Sequence, residues 1–533
     1  MNKKVIAAID FGTSGTTYAF AFLDSKDDIM HAKWPDTPDV KNSTEIILNE
    51  KLKTIKFGSE CKKYLADLSS SEEKFYHFTD IKMKLYTREN KENKIKATND
   101  NISLEIDIVI FKILEFIKKA ALSEIMSVRP GINESDIEWK VTVPAIWDNH
   151  SKMIMQKAAE KAGIFSCPLT FFALEPEAAA CNYVNERASD KEAVKPGNKY
   201  IICDIGGGTV DISTHIRINE DNGKIHIEEV YPPCGGNYGS TYINKAFFEK
   251  VIKKIFGENA MNELDKIIKN PLSNKDTYLD YCILLEEIEN FKINIKNYPN
   301  NSTQRERNEA RRINCSLFES LIDSDISELI NNYNKNCPEK WKITKHSRYK
   351  IYFPYQIMND LTENIIVSNV VKHLKDILKN VPDIKSIIYA GSVSSNAFII
   401  NMISERIKEC HNHYRSAYPS LAVVKGAVIF GFDPYIIKAR ISKYTIGIEG
   451  REKWDENKHG KRTDLKVFDD LKKCYYCKDL FLPLIKSKQK IGIDEIVSAN
   501  SNIHSPYGWA GFYKTIYGEV KFMDEKDHNS EKK

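Results

Sequence analysis

Residues 200–215 read YIICDIGGGTVDISTH, and residues 7–20 read AAIDFGTSGTTYAF. In each stretch an apolar run ends in an aspartate, Asp204 or Asp10; glycines mixed with hydroxyl residues follow, and a second apolar run begins. Apolar runs on either side of a glycine turn are the pattern of a β-hairpin. The turn also has a chemical use. Glycines remove the Cβ that would block close approach, so successive backbone N–H groups line a concavity that binds oxyanions. A carboxylate ending the incoming strand is placed to hold a hydrated Mg²⁺ against phosphate oxygens. One such turn is a weak signal, because glycine turns often only reverse a hairpin. Two with matching aspartates point to a nucleoside triphosphate pinched between two lobes, each contributing one hairpin, with metal-bound water between the carboxylates.

Outward from the turns, strands alternate with helices, which predicts an α/β protein. EWKVTVPAIWD (138–148) reads as a buried strand, and NHSKMIMQKAAEKAGI (149–164) as an amphipathic helix closed by Gly163. LTFFALEPEAAACNYVNER (169–187) reads as strand, turn and helix, and ASDKEAVKPGN (188–198) as a linker. The pattern then restarts with strands 200–205 and 210–216, helices in 242–256, 278–295 and 360–378, and the strand SIIYAG (386–391), so a duplicated lobe is expected. NYPNNSTQRERNEARR (297–312) is polar without periodicity and reads as a solvated insertion. Beyond Pro434, short alternating apolar stretches separated by Gly and Lys-rich turns predict a β-rich module, and DEKDHNSEKK (524–533) a disordered tail.

At 533 residues the chain exceeds the roughly 250–300 that one hydrophobic core serves, so two or more lobes are expected. Basic and acidic side chains number 78 and 74, a near cancellation that provides no long-range field for nucleic acid or membrane. MNKKVIAAIDFG holds too few apolar residues for a signal-peptide core, and no run of ~18 apolar residues reads as a membrane span. A cytoplasmic, monomeric protein is the expectation. The eleven cysteines sit mostly in apolar surroundings, as reduced core thiols do. The one tight pair, Cys474 and Cys477 of CYYC, has no second pair or histidines at zinc-ligand spacing nearby.

IDFGTSGTTY, ALEPEAAACNY, CDIGGGTVDIS, YAGSVSSNAF and AVVKGAVIFG resemble, in that order, five elements of the superfamily of actin, hexokinase and heat-shock ATPases. These are the first phosphate loop, first connector, second phosphate loop, adenosine loop and second connector. DIGGGTVDIS is similar to the seventy-kilodalton heat-shock chaperones. DIKMKLY (80–86), VTVPAIWD (141–148) and the run from Ala422 to Glu449 resemble their divergent family-12 branch, a likeness that covers nearly the whole chain and is weakest across 255–350. The resemblance implies a two-lobed actin-like, ribonuclease H-like ATPase domain over residues 1–435, with lobe I about 1–195 plus 420–435 and lobe II about 196–419. A reduced β-rich module over 436–533 would follow.

The resemblance also implies ATP and Mg²⁺ as cofactors. Asp10 and Asp204 would hold the metal through water, with Asp211 supporting. Gly12, Thr13, Ser14, Gly15, Gly206, Gly207, Gly208 and Thr209 would cradle phosphates, Thr209 also belonging to the catalytic set. Glu175 would orient or deprotonate the attacking water, with a helix-capping role before Pro176 as its alternative. Lys82 would reach the γ-phosphate, with Lys84 competing for the assignment. Gly391 and Ser392 would border the adenosine, and Glu289 and Lys292 the ribose.

The chain also departs from the pattern. Its first loop carries an additional glycine, Gly15. Ser394 stands where the chaperones place an adenine-stacking arginine, a loss of ~1 kcal/mol or more of base affinity. Ile293 replaces a second basic residue of the ribose helix. About one hundred residues remain after Pro434, room for a β module without a helical lid, and the acidic, leucine-rich linker is missing. The implied function is a heat-shock-70-like slow ATPase whose lobe closure switches the C-terminal module, a protein partner or a client. The alternatives are an actin-like filament protein and a small-molecule kinase of the same fold.

Overall fold

The computed structural model describes residues 3–67, 74–86, 93–165, 170–186, 192–219, 224–295, 310–322, 324–492, 495 and 521–523. The chain divides into two compact units, Met1–Ser213 with Cys234–Ile436, and Thr214–Pro233 with Ile437–Lys533.

In the larger unit the first hairpin is β1 (Val5–Phe11) and β2 (Gly15–Phe22), followed by β3 (Ser25–His31) and the two-residue β4 (Asn42–Ser43). Every residue of β1 and β2 is buried, which is why both runs read as apolar without alternation. β5 (Ile137–Val143) lies parallel to β1, and β6 (Phe172–Leu174) parallel to β5. The sheet order is therefore β6-β5-β1-β2-β3, with β4 paired to the start of β2.

The helices of this half include α1 (Ile81–Tyr86), α2 (Ile106–Val128), α3 (Asn149–Lys161) and α4 (Glu175–Asn185). α3 starts on an Asp148 side chain that accepts the Ser151 amide at 2.8 Å, and ends at Gly163, whose φ of +66° suits glycine. The expected turn between strand and helix in 169–187 is absent. Pro176 lies in the first turn of α4, its fixed φ suited to a helix start, so β6 passes directly into the helix. α2 buries Ile106, Val109, Ile110, Ile113, Leu114 and Ile117 at helical spacing against the sheet core.

The second glycine turn joins β7 (Lys199–Ile205) to β8 (Val210–Asn219), and β9 (Ile225–Gly236) comes next. α5 (Lys275–Ile293) is followed by β10 (Ile384–Ala390), β11 (His413–Arg415) and α6 (Ala422–Phe432). β10 is parallel to β7 and β11 to β10, so the order β11-β10-β7-β8 repeats β6-β5-β1-β2. The predicted helices in 242–256 and 360–378 are present, each carrying one π-helical turn, at Phe248–Ile252 and Glu363–Val367.

Most of 297–312 lies outside the described residues. Its last three, Ala310–Arg312, are not solvated loop but the start of a strand, Ala310–Asn314, antiparallel to Lys350–Pro354 with Ile313 fully buried.

In the smaller unit β12 (Ile437–Ile441) runs parallel to β9, pairing Ile437 with Ile227. β13 (Thr445–Lys453), β14 (Lys466–Asp469), β15 (Cys474–Ile485), β16 (Lys490–Gly492) and β17 (Lys521–Met523) complete it. Their order β14-β15-β13-β17 forms one sheet, and β16 pairs with β12. Residues 509–520 and the tail 524–533 lie outside the described residues.

Candidate functional site

The two glycine turns face each other. A Cβ on Gly207 would stand 2.5 Å from Ser14 Oγ, and one on Gly208 would meet Thr13 Oγ1 at 2.3 Å and Met83 Sδ at 2.4 Å. A side chain at either position would have to displace Ser14 or Thr13 of the opposite turn, or Met83. The rear of the second turn is tied down. Ser240, Thr241 and Gly239 donate their amides to the carbonyls of Gly206, Gly207 and Gly208 at 3.2, 2.8 and 3.1 Å. In a planar trans peptide the next N–H points opposite to the carbonyl, so the amides of Gly207, Gly208 and Thr209 face away from this backing.

A cavity of about 40 Å³ lies between the turns, lined by Asp10, Gly12, Thr13, Ser14 and Gly15 from the first. Asp204, Gly206, Gly207, Gly208 and Thr209 line it from the second, and Gly391, Ser392, Val423, Lys41, Lys82 and Glu175 complete the wall. Gly391 has φ +83°, and a Cβ there would stand 2.3 Å from Asp204 Oδ1. Of the predicted residues, Asp211 lies just behind this lining, where its Oδ1 accepts the Ile146 amide at 3.2 Å.

Glu289 and Lys292 are not in the lining. They pair with each other on α5 at 2.6 Å, Asn244 donates to the same Glu289 oxygen, and Lys292 reaches the Ser240 carbonyl behind the second turn. Ser394 is buried with its hydroxyl on the Ala390 carbonyl, and Ile293 is exposed.

The two candidate lysines differ in placement. Lys82 is buried, its Nζ 2.5 Å from Glu175 Oε1 and 5.7 Å from the Trp147 ring centroid, whereas Lys84 is exposed. The Glu175 carboxylate is thereby engaged by Lys82 rather than by amides of its own helix.

Sequence reasoning missed Lys41, whose Nζ lies 2.6 Å from Asp10 Oδ2. It also missed Thr142, whose hydroxyl donates to Asp10 Oδ1 at 2.9 Å. Neither belongs to a glycine motif; the local signal for Thr142 is its place in β5, next to β1.

Four buried carboxylates share this region, and their charges push one another's affinities for protons apart. Burial, then the neighbouring Asp211, Asp10 and Asp204 charges, outweigh Lys82 and raise Glu175 to about 8. Burial and Asp211 raise Asp204 to about 7 against the pull of Lys41. Burial also raises Asp211. Asp10 goes the other way: burial would raise it, but the Lys41 and Lys82 charges and the bonds from Lys41 and Thr142 together lower it. The arrangement concentrates negative charge that an added cation would relieve, beside backbone donors able to hold an anion.

Two further groups of ligating residue types lie outside the cavity lining. Glu45, Cys61 and His77 are buried with their ligating atoms within 4.8 Å of one another. His77 Nε2 lies 2.9 Å from Glu45 Oε2, and the Cys61 thiol donates to the Glu45 carbonyl at 3.7 Å, so each has a protein partner. Cys474 and Cys477 sit three residues apart on β15 in an unbroken ladder with β14, which directs their side chains to opposite faces. No helix among the described residues is long and apolar enough to cross a membrane.

No protein-family model matches the chain. Over an alignment of 595 positions, gaps included, it is 27% identical to heat shock 70 kDa protein 12A of Mus musculus, covering 98% of this chain and 83% of that protein. It is 25% identical to heat shock 70 kDa protein 12B of Homo sapiens, covering 93% and 77%. Chaperone protein DnaK of Stenotrophomonas maltophilia (strain R551-3) matches at 24% identity over 45% of this chain and 34% of its own length. The similarity to proteins 12A and 12B thus runs nearly end to end along this chain, and it supports the likeness to the heat shock 70 kDa protein 12 branch.

Proposed function

We propose that this chain is a heat-shock-70-like ATP-binding protein that hydrolyses ATP slowly with Mg²⁺. In this reading residues about 1–195 plus 420–435 and about 196–419 form two lobes whose closure switches the C-terminal segment or a protein partner, in a chaperone-related role. The observation that carries the reading is that both glycine turns and both aspartates line one cavity, with Gly207 against Ser14 and Gly208 against Thr13.

The residues present fit a metal-bound polyphosphate. The cavity combines crowded carboxylates, two of them raised toward neutrality, with a glycine cradle that any Cβ would fill. Bound Mg²⁺ would supply charge neutralisation to the phosphate oxygens. Asp10 and Asp204 would hold it through water, and Asp211, steadied by Ile146, would keep that water shell oriented. The amides of Gly207, Gly208 and Thr209 would donate to phosphate oxygens, with Thr13 and Ser14 closing the opposite side.

Lys82 holds Glu175 at 2.5 Å, and burial with the neighbouring carboxylates raises the proton affinity of Glu175, which in its ionised form would accept a proton from an attacking water. Gly391 and Ser392 would border the nucleoside, and Glu289 and Lys292, outside the lining, would support the back of the second turn through the Ser240 carbonyl.

Calorimetric titration with ATP, ADP and GTP, with and without Mg²⁺, tests the reading. Magnesium-dependent binding of ATP and ADP is expected, with a several-fold loss of affinity or of phosphate release in Asp204→Asn. Absence of nucleotide binding under every condition sinks it.

A further inference from the structure

Lys41 enters the cavity from a segment that carries none of the predicted residues, and its place is built into the backbone. β4 pairs with the start of β2, Gly15 opposite Ser43 and Thr16 opposite Asn42. The additional glycine of the first loop is what admits this strand: a Cβ on Gly15 would stand 2.9 Å from Lys41 Cβ and 3.2 Å from the Asn42 carbonyl oxygen. Thr17 Oγ1 donates to the Val40 carbonyl at 2.7 Å, and Asn42 Oδ1 accepts the Ser43 and Ser59 amides at 2.9 and 2.8 Å. The chain is thus held on both sides of Lys41.

From this anchor Lys41 Nζ reaches Asp10, and the charges of Asp204 and Glu175 act on it as well. Lys82 is committed to Glu175 with its side chain 4% exposed, whereas the Lys41 side chain is 22% exposed.

We propose that Lys41 is a built-in counter-cation that competes with a divalent metal ion for Asp10 and turns to the phosphates when nucleotide enters; the second half rests on the nucleotide reading above, the first does not. Four carboxylates, Asp10, Glu175, Asp204 and Asp211, share the region with two ammonium groups. With Lys41 on Asp10, part of the charge that a divalent ion would neutralise is already neutralised, and an approaching metal ion must displace a short charge-assisted contact. The ammonium is a compact charge with three rotatable donors on a flexible stem, so it can move from a carboxylate to phosphate oxygens without moving the backbone. Nucleotide then binds with less dependence on metal than carboxylates alone would impose.

The test uses the full chain and its Lys41→Met and Lys41→Arg variants. Mn²⁺, which suits the same oxygen ligands as Mg²⁺, is titrated without nucleotide and followed by electron paramagnetic resonance. ATP affinity is then measured in Mg²⁺ and in EDTA. Lys41→Met is expected to bind Mn²⁺ about tenfold more tightly than the native chain. Its ratio of ATP dissociation constants, EDTA over Mg²⁺, should widen by a similar factor, while Lys41→Arg keeps both values near native. Mn²⁺ affinity unchanged within about twofold in Lys41→Met overturns the proposal, as does an unchanged EDTA-to-Mg²⁺ ratio where ATP binds. Tighter Mn²⁺ binding without ATP binding under any condition upholds the competition at Asp10 and defeats the nucleotide reading alone. Circular dichroism melts establish that each variant is folded.

Discussion

Gly208 has no room for a side chain, since its Cβ would lie well inside contact distance of both Thr13 Oγ1 and Met83 Sδ. Gly208→Ala is therefore expected to cost about 1–3 kcal/mol by overpacking and to push the two turns apart. A lowered melting temperature together with weakened ATP binding checks this, and a native melt with native affinity refutes it. Glu175 and Asp204 make a second prediction, about pH. Both titrate higher in the folded chain than an ordinary carboxyl, so from about pH 4 up to about 7–8 the folded state holds more protons than the unfolded one. Stability of the ligand-free chain should fall as pH rises through that window and level off above it. Asp10, lowered, works in the opposite sense and only below its usual range, where acid removes its contribution. Melting temperatures from pH 5 to 9 measure the slope, and Glu175→Gln should flatten it. Asp10, Asp204 and the glycines were legible because the chemistry needs those residue types in a fixed local order. Lys41 was not, because its role exists only through a contact with a residue 31 positions away.

Where α6 crosses α4, Gly426 allows the two helices to meet backbone to backbone, because a Cβ there would sit 1.6 Å from the Ala178 carbonyl oxygen. Gly426→Val is expected to destabilise the chain strongly, by several degrees or more in melting temperature, as such a clash requires the helices to separate. A substitution accepted without loss of stability would contradict this packing. The pair in CYYC supports a different expectation. Three strand residues span roughly 10 Å between Cα atoms, beyond the ~7 Å that a disulfide tolerates. Oxidation should leave both thiols countable, with no Cys474–Cys477 cross-link in peptide mass spectra. Strands and helices with clean periodicity were readable from the chain. The two π-helical turns were not, because one extra residue per turn leaves the apolar spacing nearly unchanged. The direct passage from β6 into α4 was hidden as well, because a Pro at a helix start and a Pro in a turn look alike in sequence.

On the scale of the whole molecule, the repeated strand order β6-β5-β1-β2 and β11-β10-β7-β8 was anticipated by the two glycine turns, since each marks the hairpin from which its sheet is built. The make-up of the smaller unit was not, because it draws on two stretches far apart in the chain, 214–233 and the residues after 436. Pairing of Ile227 with Ile437 is a long-range contact that no local pattern announces. A chain ending at Ile436 would leave β9 without β12 and open a strand edge at the fully buried Ile227. Such a truncated chain is expected to aggregate on size-exclusion chromatography, where a detachable appendix would leave a well-behaved monomer. The three amides that grip the back of the second glycine turn come from Gly239, Ser240 and Thr241, at the mouth of the helix that begins at Thr241. That helix and the donor-lined floor of the cavity are consequently tied by three backbone bonds, so neither can shift with those bonds intact unless the other follows.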